Sequence, residues 1–233
     1  MPDNGLSLFF DVSQTSPPRL VRNSLKAQAI EVLRKEIVRG SIPPGTRLVE
    51  REVAELLKIS RAPVRDALLE LEKEGLVESR SDGRHVIELE ERDVRELYQV
   101  RLELETLAVR LAAQKTCPKN RTALREKLEA MRQAAREQDR AGLVRGDVEM
   151  HWLLWQQADN RHLLKMLSSM IGPVFMFVAN NAEAFDWQET LELHEELTNC
   201  VNAGDEEAAA QSIERHLESA IYRSLRVFGS FTS

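Results

Sequence analysis

The sequence predicts a mainly α-helical protein, in which an N-terminal winged helix-turn-helix (α+β) is followed by an all-α six-helix antiparallel bundle. Two helical patterns and a short hairpin follow one another between residues 43 and 86. Strand patterns are absent after residue 90, and 233 residues exceed the roughly 150 that one domain averages. We therefore expect a flexible tail at 1–19, a winged helix-turn-helix domain at 20–90 and a helical domain at 91–228.

The first helix pair is indicated by apolar spacing and turn residues. Leu20 to Arg39 predicts a supporting helix, and Pro43-Pro44-Gly45 predicts a turn leading to a short edge strand at Arg47-Leu48-Val49. Glu50 to Leu57 then carries apolar residues at helical spacing. Lys58-Ile59-Ser60 forms the turn to the next helix.

The second helix of the pair has the features of a recognition helix. Ser60 is a favourable N-cap, and Pro63 is tolerated in the first helical turn. The expected buried stripe is separate from the face of Arg61 and Arg65, which stand four residues apart at the N-terminal end. Recognition helices contact base edges and phosphates from that end. The stripe is formed by Val64, Ala67, Leu68 and Leu71.

A hairpin directly after this helix is typical of a wing. The expected strands are residues 76–79 and 85–89 around a turn at 81–84, and Gly75 closes the preceding helix. Arg80, Arg84 and His85 could reach a sugar-phosphate backbone from the wing. In the alternative interpretation the module binds no DNA, and its arginines form solvated surface pairs with Glu50, Glu52 and Asp66.

Three segments of this unit resemble the DNA-binding domain of the GntR transcriptional regulators. They are Leu48 to Ala54, Ile59 to Leu68 and Leu71 to Val77. The resemblance implies operator contacts from Arg51, Ser60, Arg61, Arg65 and Gly83. Ala62 stands where many relatives have threonine, and the wing sequence is Asp82-Gly83-Arg84-His85.

Charge, cysteines and hydropathy limit the possible classes of protein. The net charge is −6; the first 90 residues hold 14 Lys and Arg against 15 Asp and Glu, leaving 18 against 23 for the rest. DNA binding must then come from a local arrangement of arginines.

Cys117 and Cys200 match no metal or redox spacing. No signal peptide is expected, and the apolar run 174–179 is too short to span a bilayer, which predicts a cytoplasmic protein that binds no membrane.

The second domain is predicted from helical stretches separated by Pro, Gly, Asp and Asn. Gly172-Pro173 should kink or split the fourth helix. Six helices in about 140 residues are typical of an antiparallel bundle. We expect them at about 91–115, 118–138, 141–158, 161–184, 187–203 and 205–228.

Three of the five histidines in the chain fall at positions that can converge inside this bundle. Asp147 and His151 lie four residues apart on one helix face. His194 and His216 lie about ten and twelve residues from the turn near Gly204, so both are roughly 15 to 18 Å from it. The four residues suit Zn²⁺, alternatively Ni²⁺ or Mn²⁺. His85 and His162 are expected at the surface.

This pattern resembles the FCD-type ligand-binding domain of the FadR subfamily of GntR regulators, in its six-helix, VanR-like branch. The resemblance implies a homodimer whose affinity for operator DNA changes when a small organic acid binds at or beside the metal. Arg101 lies on a core-facing stripe and needs an anion, either the effector carboxylate or Glu105 one turn on. Trp152 and Trp155 could line the same pocket.

The expected function is a DNA-binding transcriptional regulator, a repressor, and not an enzyme. Two recognition helices of a dimer would enter successive major grooves about 34 Å apart. In one alternative the metal ion is itself the signal. In another the site is a metal-dependent hydrolase, but Glu149, Glu195 and Glu196 point away from the histidines and supply no general base.

Overall fold

A computed structural model describes residues 24–229, which divide into two compact units. The first comprises the residues up to Glu88 together with Ile171–Met176, and the second comprises Leu89–Met170 and the chain from Phe177. The predicted tail at 1–19 and residues 20–23, where the sequence predicted the start of the supporting helix, lie outside the described residues.

The first unit has the winged helix-turn-helix order. Ser24 caps its first helix by accepting a hydrogen bond from the Ala27 amide at 3.3 Å. Lys58 ends the second helix in the left-handed conformation, with φ of 55°, and so begins the turn to the third. The elements are α1 (Leu25–Val38), α2 (Glu50–Leu57), α3 (Arg61–Lys73), β1 (Val77–Arg80) and β2 (Gly83–Val86).

The core of this unit lies where α1, α3 and the hairpin meet. The predicted stripe of α3 is fully buried, and the amphipathic pattern of that helix is thereby confirmed. Burial of each valine or leucine side chain in the stripe stabilises the unit by about 1.5–3 kcal/mol. The core includes Ala29, Leu33, Ile37, Leu48, Val53, Ala54, Val64, Ala67, Leu68, Leu71, Leu76, Val77 and Val86.

The turn of the wing is shorter than expected, and its second strand begins two residues earlier. Arg80 pairs with Gly83, so the turn consists of Ser81 and Asp82, and Gly83 and Arg84 lie on β2. The expected edge strand at 47–49 forms only a single bridge between Arg47 and His85. The Leu48 amide donates to the Arg84 carbonyl at 2.7 Å, which holds this segment beside the wing.

The six expected helices are present among the described residues, and all lie in the second unit except for residues 171–176 of the fourth, which belong to the first unit. Their ends agree with the sequence to within about four residues, and a short 3₁₀ helix (Ala182–Ala184) replaces the end of the fourth. Helix α9 packs against α4 and α8, and α5 packs against α6 and α8. The six are α4 (Glu91–Gln114), α5 (Pro118–Arg136), α6 (Arg140–Gln157), α7 (Arg161–Asn180), α8 (Trp187–Ala203) and α9 (Glu206–Arg226).

Helix α7 bears on two expectations. It continues as one helix through Pro173, so of the expected kink or split the split is absent. By length and composition α7 could also cross a bilayer, although the run 174–179 alone could not. Half of its apolar window is buried within the protein, and a core helix passes the same test.

Candidate nucleic-acid interface and metal centre

The N-terminal end of α3 presents exposed arginines on a different face from its buried stripe. Arg61 and Arg65 are both exposed, and Arg61 forms no ion pair with any described residue. The Arg65 guanidinium lies 3.9 Å from the Asp66 carboxylate, and its side chain is 58% exposed. Solvated pairs of this kind contribute little, so both arginines remain available to an anionic ligand.

Ser60 occupies the N-cap position of α3, as predicted, but its hydroxyl does not bond the helix backbone. It is exposed at the helix end beside Arg61. Arg51 on α2 is also exposed and lies 4.0 Å from Glu52 and from Glu55, at the limit of an ion pair. These side chains therefore remain accessible around the N-terminal end of α3 and on α2.

In the wing, Gly83 is exposed, whereas Arg84 and Arg80 form close ion pairs. Gly83 is exposed and has a φ of +135°, a conformation that favours glycine. Arg84 is turned inward: its Nε donates to Glu72 at 3.2 Å and its Nη1 to Glu50 at 3.2 Å. Thus the Glu50 pair of the alternative, non-DNA interpretation is present, and the contacts of Arg51 with Glu52 and of Arg65 with Asp66 lie at the limit of an ion pair. Arg80 is paired with Glu78 at 2.6 Å.

His85 was expected at the surface, and this expectation is wrong. Its side chain is buried, with Nδ1 3.3 Å from the Gly83 carbonyl oxygen and Nε2 3.5 Å from the Asp82 carboxylate. The cause is pairing on both sides of β2, since His85 faces Glu78 on β1 and bridges Arg47 on the other edge. His162 is exposed, as expected.

In the second unit, the structure brings Asp147, His151, His194 and His216 together. One ligand atom from each lies within 4.8 Å of all the others. The Nε2 atoms of His151 and His216 are 3.0 Å apart, and His194 Nε2 is 3.4 Å from Asp147 Oδ1. The three imidazoles are buried, whereas the Asp147 side chain is 19% exposed.

Hydrogen bonds to Nδ1 fix the tautomers of two histidines. His151 Nδ1 donates to the Glu105 carboxylate at 2.6 Å, and His194 Nδ1 donates to the Thr190 carbonyl oxygen at 2.8 Å. Neither acceptor carries a proton, so the proton lies on Nδ1 and, in the neutral form of the ring, the Nε2 lone pair points inward. Burial lowers the pKa of His194, which favours this neutral form.

The convergence fits a divalent cation. The Nε2 lone pair of His194 faces the Asp147 carboxylate at 3.4 Å, and the two repel one another unless a cation lies between them. His194 Nε2 has no hydrogen-bond partner among the described residues. Ligand atoms of a tetrahedral zinc are roughly 3.3 Å apart, from Zn–N distances of about 2.0–2.1 Å. The observed separations of 3.0 and 3.4 Å are close to that value.

Glu105 is the residue of this centre whose role the sequence did not reveal. One carboxylate oxygen accepts from His151 Nδ1 and, at 3.2 Å, from Trp155 Nε1; the other accepts from Arg101 Nε at 2.7 Å. Burial alone would raise the pKa of Glu105, but the adjacent Arg101 and His151 bring it to about 2. Such carboxylates orient metal-binding histidines. The only sequence signal was its spacing of four from Arg101.

Arg101 is buried, as its position on the core-facing stripe predicted. Glu105 is one of the two anions that the sequence offered for it, and the guanidinium also lies over the Tyr98 ring at 4.9 Å. Trp152 and Trp155 are both buried beside His151, with 6.2 Å between the His151 and Trp155 ring centroids.

The glutamates considered as a general base lie in ion pairs. Glu149 accepts from Lys127 at 2.6 Å, and Glu195 lies 2.7 Å from Arg132. Glu196 is paired with Arg215. Both carboxylate oxygens of Glu105 likewise accept hydrogen bonds, one from Arg101 and the other from His151. The described residues thus place no uncommitted glutamate from this group beside the histidines.

Comparison with known proteins identifies both units. Residues 25–87 match the family model of bacterial regulatory proteins of the gntR family, and residues 96–219 match the FCD domain. The chain is 31% identical over 200 residues to the "Probable D-xylose utilization operon transcriptional repressor" of Paenarthrobacter nicotinovorans, covering 85% of this chain and 88% of that protein.

Two further relatives agree. The uncharacterized HTH-type transcriptional regulator YdhC of Bacillus subtilis is 30% identical over 187 residues, covering 79% of this chain and 84% of that protein. The solved structure of Escherichia coli McbR/YncC superposes with a TM-score of 0.72 at 25% identity, covering 88% of this chain and 99% of that one. The chain belongs to the GntR family of bacterial regulatory proteins, carries an FCD domain, and is a DNA-binding transcriptional regulator rather than an enzyme.

Proposed function

We propose that the protein is a repressor whose affinity for operator DNA is controlled by a small carboxylate effector, bound at a divalent metal in the FCD domain. The observation that carries this proposal is the convergence of four ligand atoms within 4.8 Å in that domain. The name of the Paenarthrobacter relative, a transcriptional repressor, supports repression and not activation. The site of action is then the cytoplasm.

DNA recognition is assigned to the exposed end of α3, to α2 and to the wing tip. Arg61 and Arg65 would reach base edges and phosphates, because both are exposed at the N-terminal end of the helix. Arg51, Ser60 and Gly83 would make the flanking contacts. A homodimer would place two such helices about 34 Å apart, in successive major grooves of a pseudo-palindromic operator.

Asp147, His151, His194 and His216 would hold the ion. Three imidazole nitrogens and one carboxylate oxygen suit Zn²⁺ and are also accepted by Ni²⁺ and Mn²⁺. A site with four protein ligands leaves room for an exogenous carboxylate when its coordination expands. The bound ion would supply a fixed positive charge that attracts the acid.

Arg101 is proposed as a second contact for the effector carboxylate. Its pairing with Glu105 uses the Nε–H, and a guanidinium carries four further N–H donors. Effector binding can lower DNA affinity only as far as the acid prefers the protein conformation that does not bind DNA. Release of the operator would follow from that preference.

The DNA half of the proposal is tested with operator fragments selected from a random-sequence DNA pool by the purified protein. Arg61→Ala and Arg65→Ala should each weaken binding by about 1–3 kcal/mol, because each removes a base or phosphate contact. Arg125→Ala, an exposed arginine in the FCD domain, is the matched control. Undiminished binding by both variants would refute this assignment of the recognition surface.

The effector half is tested by thermal unfolding against a panel of mono-, di- and sugar acids, before and after chelation. Stabilisation by an acid that disappears on chelation supports the proposal, because a ligand of the folded state raises the melting temperature. That acid should also release the operator fragment. If only the ion alters DNA binding and no acid does, the protein is a metal sensor and the effector proposal is wrong.

A further inference from the structure

One arginine of the wing joins four elements of the winged-helix unit. Arg84 on β2 donates from Nε to Glu72 in the last turns of α3, and from Nη1 to Glu50 in the first turn of α2, both at 3.2 Å. Glu72 also accepts from the Ser79 hydroxyl on β1 at 2.7 Å. We call Arg84, Glu72, Glu50 and Ser79 the wing clamp.

The backbone strengthens the same connection. Ser79 and Arg84 are directly opposite in the β1–β2 register, and the Arg84 carbonyl accepts from the Leu48 amide at 2.7 Å. Both the main chain and the side chain of Arg84 therefore tie the hairpin to the start of α2. The adjacent residue is Gly83, the exposed wing tip assigned to the operator.

The surroundings of Arg84 differ from those of the arginines assigned to DNA. Its side chain is 22% exposed, compared with 61% for Arg51 and 58% for Arg65. Two carboxylates share its single positive charge, so the cluster carries net negative charge. A DNA phosphate approaching Arg84 would be repelled by Glu50 and Glu72, which already accept hydrogen bonds from two of the five N–H donors of Arg84.

From this geometry we infer that Arg84 is a positioning residue of the wing and not a phosphate contact. By holding β2 against α2 and α3, the wing clamp fixes the direction in which Gly83 faces the operator. The inference concerns Arg84 alone and remains distinct from the assignment of Arg61 and Arg65. It replaces the expectation, drawn from sequence, that Arg84 reaches the sugar-phosphate backbone.

The test compares Arg84→Lys, Arg84→Ala and Glu72→Ala for binding to the selected operator fragment over a range of salt concentrations. Lysine serves as well as arginine for a point contact with phosphate, but it cannot bond two separate carboxylates through a planar fork. The positioning role therefore predicts that all three variants bind about three- to tenfold more weakly. The slope of log affinity against log salt should remain that of the parent protein.

Glu72→Ala is the decisive variant, because a positioning role and a phosphate contact of Arg84 predict opposite changes in operator affinity. Removing a carboxylate near DNA should strengthen binding by general electrostatics, as is expected for the control Glu31→Ala on the exposed face of α1. Loss of the clamp should weaken it instead. The double variant with Arg84→Ala should bind no more weakly than Arg84→Ala alone, since both changes break one network.

A measurement without DNA separates wing positioning from a general loss of folding. Amide hydrogen exchange should accelerate in the wing of Arg84→Lys and Glu72→Ala while α1 keeps its protection. The inference is overturned if Arg84→Lys binds normally, if Arg84→Ala reduces the salt slope by about one, or if Glu72→Ala binds more tightly. Arg61→Ala is measured in parallel. If this variant binds the operator as tightly as the parent protein, the assignment of the recognition surface is wrong, independently of the wing clamp.

Discussion

The Glu105 carboxylate accepts a hydrogen bond from Nδ1 of His151 at 2.6 Å, within a buried pair that joins α4 to α6. This bond fixes which ring nitrogen faces Asp147 and His216. Because Arg101 neutralises the other carboxylate oxygen, Glu105 is held in its ionised form by the protein itself. The proposed metal centre thus depends on a residue that is not among its four ligands.

Glu105→Gln should weaken divalent-metal affinity about 10- to 100-fold, because the substitution removes the charged acceptor that orients His151. The measurement is competition for zinc with a chelator of known affinity. Glu103→Gln, an exposed change on the same helix, is the matched control. Equal affinity for both variants and the parent would mean that Glu105 has no orienting role.

His194→Ala should abolish stoichiometric metal binding, because it removes a buried ligand and leaves Asp147 without its nearest imidazole. Metal content after purification, measured by mass spectrometry, checks this. His162→Ala removes an exposed histidine outside the four ligands and should retain the parent metal content. Full metal content in the His194 variant would place the ion elsewhere.

The metal-free protein should lose stability as pH falls below about 6.5, the pKa of an unfolded histidine. Burial lowers the pKa of His194, and burial with the neighbouring imidazoles lowers that of His216 well below its usual value. The unfolded chain then binds protons that the folded chain does not, so the free energy of unfolding falls with pH. Each histidine contributes up to about 1.4 kcal/mol per pH unit.

Urea unfolding of the chelated protein at several pH values from 8 to 5 measures this slope. His216→Asn should make it shallower, whereas His162→Asn should leave it unchanged. A parent slope of zero between pH 6.5 and 5, or a slope unaffected by His216→Asn, would contradict the burial of neutral imidazoles.

Gly83→Ala should distort the wing tip. Its φ of +135° is strained for alanine, and the new Cβ would lie 3.3 Å from Arg47 Nε. We expect a loss of about 1–3 kcal/mol of stability, measured by urea unfolding, together with weaker operator binding. Ser81→Ala, at the exposed turn of the same hairpin, should have little effect. Unchanged operator binding by the Gly83 variant would remove the wing tip from the recognition surface.

Much of the candidate metal centre could be predicted because its pattern is local. Asp147 and His151 share a face through helix periodicity alone, and His194 and His216 are brought level by the turn near Gly204. Glu105 could not be assigned to His151 in this way. The two residues are 46 apart in the chain, and only the packing of α4 against α6 sets their contact.

In the wing, too, the sequence predicted the element but not its turn or its side-chain contacts. A hairpin after α3 was predictable from its residues, but the turn proved to be Ser81 and Asp82 instead of residues 81–84. That shift places Gly83 and Arg84 on β2. It turns Arg84 toward Glu50 and Glu72 and buries His85, which the sequence had placed at the surface.

The order of elements, the exposed pair Arg61 and Arg65 and the four candidate ligands follow from local sequence, because helical periodicity, caps and turn residues act over a few positions. The carboxylates that hold Arg84, the anion that pairs with Arg101 and the acid that orients His151 follow from the packed structure alone. Those contacts join separate elements, and their partners depend on strand register and helix packing, which no local pattern encodes.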